Sequence, residues 1–327
     1  VLSTYTMGNT PVGRALALLA GFVATSLVAG FIAAGLFMPA ADAAGSLARG
    51  SMTYFNSLPE DFQRQPLSEA SIIYAKDGRT PVARLYHENR MLVPLNAIAP
   101  VMRHALIAIE DERFYSHGGL DIQAVSRAAV KNLTTGETAQ GASTITQQYV
   151  KMLLLEKAYA AGDEQGMKGA VEDTLARKLR EMKYAISVEQ EMEKDEILEG
   201  YLNVALFGDG VYGVEAAARY FFRSHANKLT IPQAALLAGL VQRPTYYNPR
   251  RNEDRALARR NVVLRQMRKL NVITEDEYLK ATKAGLGLKI TPSRNGCANA
   301  HPAYNAYFCS FVVASLMVDK QYAFLGK

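Results

Sequence analysis

The chain has 327 residues, 49% of them apolar and 21% charged, a balance that excludes an intrinsically disordered chain and leaves room for one large or two modest domains. Five histidines and two cysteines, with no CxxC and no HExxH pattern, argue against a structural zinc site. The formal charge of +6 suits an anionic surface such as phospholipid headgroups or pyrophosphate as well as nucleic acid, and its sign alone does not choose.

No charged residue occurs from Ala15 to Ala41. A bilayer core needs roughly 20 apolar residues in helical form, so residues 15–41 are read as a transmembrane helix behind an N-terminal segment, 1–14. A cleaved signal peptide competes, because Ala40-Ala41-Asp42-Ala43-Ala44 offers small residues after the apolar run. Its apolar region is usually about 7 to 15 residues, shorter than this one. Arg14 before the span, with Asp42 and Arg49 after it, leaves the orientation open.

Residues 42–71 show no sustained period and read as a tether. Ile72 to Val93 has β character, with the turn-like Lys76-Asp77-Gly78-Arg79 inside it, and predicts a small sheet or hairpin. From Ile98 onward apolar residues recur at three and four, the helical spacing. Thr144 with Gln147, Ser187 with Gln190 and Thr274 with Glu277 match capping boxes, and Pro232 fits a first helical turn after Thr230. Val171, Leu175, Leu179, Met182 and Ile186 form one apolar stripe, and a second helix is expected from Val188 to Ala205. Beyond Leu288, Pro292, Gly296 and Pro302 signal loops. Cys297 and Cys309 are either a disulfide closing a short loop or two unrelated buried thiols; the expectation is a bond.

Five polar sets carry candidate chemistry. Glu110-Asp111-Glu112-Arg113-Phe114 ends an apolar run and precedes His117-Gly118-Gly119. A carboxylate there is either a partly desolvated base in a cleft or a solvated helix end. Gly141 to Gln148 places Ser143 and Thr144 at a helix N-terminus, where an anion can sit or where a plain surface helix is capped; Lys151 follows one turn later. Arg177-Lys178-Leu179-Arg180-Glu181 pairs cations with a carboxylate one turn on, a held charge or surface decoration. Lys194 to Asn203 and Arg259 to Leu264 complete the series; the basic pair Arg259-Arg260 reads as a solvated face unless something buries it.

In this order and at these separations the five sets resemble the peptidoglycan glycosyltransferase domain of glycosyltransferase family 51. The pattern ED-x2-F-x2-H-x-G falls on Glu110 to Gly119, G-x-S-T-I-x-Q-Q on Gly141 to Gln148, and RK-x2-E on Arg177 to Glu181. K-x2-I-L-x2-Y-L-N falls on Lys194 to Asn203, and R-x3-V-L on Arg259 to Leu264. A polar stretch, Glu156 to Asp173, is longer than the pattern.

The resemblance implies a mainly α, lysozyme-like domain with a small β element over 72–284, behind one transmembrane helix. It implies inverting transfer from a polyprenyl-pyrophosphate donor that polymerises lipid II into β-1,4-linked glycan strands. By the resemblance Glu110 and Glu181 would be the catalytic pair, Glu110 as general base and Glu181 assisting departure of the pyrophosphate. Asp111, Phe114, His117, Ser143, Thr144, Gln147 and Gln148 would shape the subsites, and Lys151, Arg177 and Lys178 would face the phosphates. Asn203 and Arg260 are assigned to architecture. No cofactor is required, while a divalent cation, Mg or Mn, is admitted at the pyrophosphate. The implied partners are lipid II, the growing glycan strand, the membrane and proteins of cell-wall synthesis and division, with no nucleic acid. The implied location is the cell membrane, single-pass, with the N-terminus cytoplasmic and the catalytic domain outside. Residues 285–327 read as a linker toward a class A penicillin-binding transpeptidase, whose Ser-x-x-Lys and Lys-Thr-Gly motifs do not occur in this chain. The rival readings are a membrane-anchored, lysozyme-like glycan-cleaving enzyme and a tethered scaffold that binds glycan without turnover.

Overall fold

The computed structural model describes residues 18–19, 22, 25–26, 45–46, 49–58, 62, 65–127, 143–292, 294–319 and 321, in two units divided after Leu58. In the first unit residues 49–57 are helical, where the sequence offers no sustained period. The expected span, residues 15–41, lies outside the described residues apart from five positions. Among the described residues no helix is long and apolar enough to cross a membrane.

The second unit begins with a hairpin. Strands β1 (Ser71–Tyr74) and β2 (Pro81–Leu85) pair antiparallel, and Asp77 Oδ1 accepts the amides of Arg79 and Thr80 to close the turn between them. Two short strands, β3 (Asn89–Arg90) and β4 (Val211–Tyr212), pair in parallel far apart in sequence.

The helices that follow among the described residues are numbered in chain order: α1 (Pro100–Glu110), α2 (Ile145–Ala160), α3 (Glu164–Val171), α4 (Leu175–Glu191), α5 (Lys194–Val204), α6 (Val214–Phe222), α7 (Ile231–Leu240), α8 (Glu253–Lys269), α9 (Glu275–Lys283) and α10 (Asn305–Val318). Residues 122–127 are also helical.

Local chemistry sets most of the helix ends. Thr144 caps α2 by accepting the Gln147 amide, and Thr230–Gln233 and Thr274–Glu277 form capping boxes at α7 and α9. Helix α7 is apolar on every side, and every residue from Ala234 to Leu240 is buried, as a helix hydrophobic all round must be. It packs against α1 and α8, while α2 packs against α3, α4 and α5. Met102, Leu106, Ile145, Ile197, Leu237 and Leu264 are among the fully buried side chains of one continuous core. Each contributes on the order of 1.5–3 kcal/mol of burial.

Three expectations about helices fail for identifiable reasons. The stripe from Val171 to Ile186 is not one face: Thr174 caps a new helix there by accepting the Arg177 amide at 3.2 Å, and Val171 and Leu175 are exposed. The buried residues of α4 are Glu181, Lys183, Ala185 and Val188; a carboxylate turns inward because two cations neutralise it. The second helix does not begin at Val188. Ser187 and Gln190 lie inside α4, and the break falls at Met192, where Glu193 and Glu196 form the capping box of α5. The region after Leu288 is not all loop, because α10 follows Pro302.

A second, smaller hydrophobic cluster joins Val82 and Ala83 of β2 to Ala300 and Cys309. The His301 amide donates to the Val82 carbonyl at 2.8 Å, and the Gly296 amide to the Arg84 carbonyl at 2.9 Å. Cys297 and Cys309 are joined in a disulfide with their Cα atoms 5.4 Å apart, so the hairpin and α10 share a stapled core of their own.

Asn203 and Arg260 each bridge separate segments of the chain. Asn203 accepts the Val93 amide at 3.0 Å and donates to the Val93 carbonyl at 2.8 Å, stitching the chain after β3 to α5. Arg260 is buried rather than solvated: its Nη atoms donate to the carbonyls of Thr282, Ala284 and Gly285, which locks the end of α9 onto α8.

Candidate active site

Glu110 is the last residue of α1, and Asp111 is its C-cap. Glu110 has a side chain only 10% exposed. Gln148 Nε2 donates to Glu110 Oε2 at 2.8 Å, and the Tyr201 hydroxyl donates to Gln148 Oε1 at 2.9 Å. Among the described residues Glu110 Oε1 has no hydrogen-bond partner, and Arg259 Nη2 lies 3.7 Å from it. Burial pushes the Glu110 carboxyl above the usual carboxylate range, Gln148 and Arg259 pull it back, and Asp111 adds to the rise. Burial, with the Glu110 charge behind it, also holds the Tyr201 hydroxyl well above its ordinary value.

Along the chain the cation nearest to Glu110 is Arg113. The structure turns Arg113 away to Asp121 and Gln123, and Arg259 reaches in from α8. Arg259 carries a signal in the sequence: it lies one and two turns before Val263 and Met267, both fully buried, so a cation sits on the apolar face of the helix.

A cleft of about 180 Å³ opens beside this carboxylate, lined by Glu110, Asp111, Ser143, Thr144, Asp121 and Gln266 among others. Ser143 connects it to the second glutamate. Lys178 Nζ donates to Ser143 Oγ at 2.7 Å and lies 3.5 Å from Glu181 Oε2. The other oxygen, Glu181 Oε1, is paired with Arg177. Glu181 itself is only 2% exposed. Burial lowers the Lys178 ammonium below its ordinary value, Glu181 raises it in part, and Arg177 and Lys151 lower it further. Lys151 is therefore within electrostatic reach of the same cluster.

Several residues expected at the subsites also hold the frame. Phe114 is fully buried, with Lys194 Nζ 4.4 Å from its ring centre, so it supports the site from beneath. Asp111 spends one oxygen on His117 Nε2 at 2.8 Å and the other on the Ile145 amide at 3.1 Å, tying the end of α1 to the start of α2. Thr144 donates to the Gly119 carbonyl at 2.9 Å, and Gln147 Nε2 donates to the same oxygen at 3.4 Å. Gly119 must be glycine, because a Cβ would come 2.6 Å from the backbone of Ala185 on α4. Ser143, Gln148, Lys151, Arg177 and Lys178 remain grouped around the two glutamates.

Three further groups escaped the sequence reading. Asp121 accepts the Ala124 amide at 2.8 Å and pairs with Arg113; burial raises its carboxyl, but these partners and His117 outweigh that and leave it lowered. Glu189 accepts from Thr146 and from Lys194 Nζ, the latter at 2.7 Å, bracing α2 against α4 and α5. Tyr201, quoted only as part of a motif, completes the relay to Glu110.

Among the described residues Asp111, His117 and Asp121 alone bring three metal-ligand atoms within 4.8 Å of one another; both Asp111 oxygens and Asp121 Oδ1 are engaged by His117, Arg113 and backbone amides. Glu181 Oε1 pairs with Arg177, and Lys178 Nζ lies 3.5 Å from Glu181 Oε2.

A family model described as Transglycosylase matches residues 78–268. Penicillin-binding protein 2D of Bacillus subtilis (strain 168) is 41% identical over 215 residues, 65% of this chain and 29% of that protein. Penicillin-binding protein 1A/1B of the same organism is 42% identical over 231 residues, 70% of this chain and 23% of that protein. Penicillin-binding protein 1A of Escherichia coli (strain K12) is 42% identical over 206 residues, 63% of this chain and 22% of that protein. The chain thus spans less than a third of the length of these relatives. The crystal structure of penicillin-binding protein 1A from Haemophilus influenzae is similar with a TM-score of 0.41 and 20% identity, over 80% of this chain and 26% of that one.

Proposed function

We propose how this site works from the premise that the chain belongs to the transglycosylase family and carries its peptidoglycan glycosyltransferase domain. The substrate is lipid II and the growing glycan strand, and the product a β-1,4-linked polymer. Glu110 is the general base. Its carboxylate takes the proton of the acceptor 4-hydroxyl while that oxygen bonds to the donor anomeric carbon. The bond from that carbon to the pyrophosphate oxygen breaks on the opposite face, which inverts the centre. A carboxyl raised by burial is the better base near neutral pH, and its unpartnered Oε1 leaves an acceptor for that proton.

Glu181 works through its cations. A bare carboxylate would repel a departing pyrophosphate, whereas one that pins Arg177 and Lys178 presents net positive charge where negative charge develops. Lys151 adds to that charge, and Ser143 orients Lys178. No step is assigned to a metal ion.

The observation that carries this reading is the contrast between the two carboxylates: one desolvated with a free oxygen, the other saturated by cations. A glycan-cleaving enzyme needs no such cationic cluster. Incubating the purified chain with lipid II tests the choice; polymer longer than a tetrasaccharide supports transfer, and cleavage of preformed glycan without polymer refutes it. The setting follows from the substrate: residues 1–14 cytoplasmic, 15–41 in the membrane, and the domain outside, in reach of wall-synthesis and division proteins. A reporter fused at the C-terminal end that is active only in the cytoplasm would contradict this topology.

A further inference from the structure

A cavity of about 430 Å³ opens between the hairpin side of the unit and α6, and four arginines line it: Arg84, Arg219, Arg223 and Arg294. It shares no lining residue with the cleft at Glu110. Among the described residues no carboxylate lines it. Three of the four have no acidic partner among the described residues. Arg84 reaches only Met91 Sδ at 3.8 Å, Arg223 reaches the Ile290 carbonyl at 3.3 Å, and Arg294 makes no ion pair. Arg219 shares Glu215 with His225 and the Ala226 amide, so that acid is largely spent elsewhere. A guanidinium carries five donors in a fixed fork suited to carboxylates, and most of these donors are uncommitted.

The rest of the lining decides what kind of anion fits. Met91, Ala216 and Pro292 form apolar wall, with Tyr86 and Tyr220 beside the arginines. Tyr220 and Pro292 also line an adjoining cavity of about 420 Å³ that holds Ile290 and Arg250, the latter matched by Asp209 at 3.2 Å. Like charges converging on a partly apolar trough are unfavourable unless a ligand brings the opposite charge. A bare inorganic ion would leave the apolar wall unfilled. An extended chain, at about 3.3 Å per residue, can alternate acidic side chains for the arginines with an apolar one for the wall.

We infer that this arginine-lined trough is a docking site for an acidic peptide segment of a partner protein, one that carries an apolar residue between its carboxylates. The test uses the whole purified chain and a fluorescein-labelled Glu-Asp-Phe-Glu-Asp peptide, read by fluorescence anisotropy, with the Gln-Asn-Phe-Gln-Asn peptide as control. Saturable binding of the acidic peptide is expected, weakened about tenfold or more by Arg223→Glu with Arg294→Glu and by added salt, with little binding of the control. Arg294→Ala serves if the double variant misfolds, and should weaken binding in the same direction. Lipid II polymerisation by these variants should match the parent. The inference is overturned if the peptide does not bind, if it binds the variants equally, or if inorganic phosphate or phosphatidylglycerol vesicles occupy the arginines while the peptide does not.

Discussion

Arg259 Nη2 stands 3.7 Å from Glu110 Oε1, an oxygen with no hydrogen bond among the described residues, while Gln148 holds the other oxygen at 2.8 Å. Burial raises this carboxyl and the arginine restrains the rise. Replacing Arg259 by Gln removes the restraint, so the base should hold its proton to higher pH. The acid limb of the kcat/KM profile is expected to move to higher pH, with Arg259→Lys in between. An unmoved limb with merely lower activity would reduce Arg259 to a packing role.

A second pH effect belongs to the frame. Arg90 is buried with Glu88 at 2.7 Å and Glu156 at 2.5 Å. Burial pushes Glu88 from 4.5 up to about 7, Arg90 opposes, and Glu156 reinforces. A carboxyl raised in the folded state contributes stability that is full below its unfolded value and lost as pH rises through its folded value. The parent should therefore lose stability between about pH 4.5 and 7 relative to Glu88→Gln. Melting temperatures of the two proteins across that range check the sign; parallel curves would contradict it.

Reduction should act on the hairpin module. The Cys297–Cys309 bond closes a loop with a sequence separation of 12, for which chain entropy suggests about 3 kcal/mol. Unreduced protein should resist alkylation at both thiols. After reduction the cluster of Val82, Ala83 and Ala300 should exchange amide hydrogens faster, while the core around α7 keeps its protection.

Arg260 is a buried charge satisfied by backbone carbonyls. Arg260→Met removes the charge but orphans three acceptors, and hydrogen bonds to charged groups contribute roughly 1.5–3 kcal/mol each. A loss of about 3 kcal/mol or more is expected in urea denaturation, with no change in the pH profile of any remaining activity.

Much of this was legible: the family resemblance put Glu110, Gln148, Arg177, Lys178 and Glu181 at one site, and local spacing marked the caps Thr144, Thr230 and Thr274. What failed depends on which side of a helix meets the core. The stripe through Val171 and Leu175 looks buried only if a carboxylate cannot face inward, and Glu181 does so because its charge is neutralised locally. The sequence did not show that Phe114 is fully buried or that Asp111 accepts the Ile145 amide, because both depend on how distant segments pack. Arg259 was invisible as a partner of Glu110 because 149 positions separate them in the chain.

The central claim is that Glu110 takes the proton and Glu181 organises charge. Glu110→Gln keeps the size and removes the base, a change typically worth on the order of 100- to 10,000-fold in rate. Polymerisation of lipid II by Glu110→Gln should be nearly abolished with lipid II binding kept, whereas the residual rate of Glu181→Gln should respond more strongly to ionic strength. Polymerisation by Glu110→Gln within a few-fold of the parent would contradict the account and move the base to another carboxylate of the cleft.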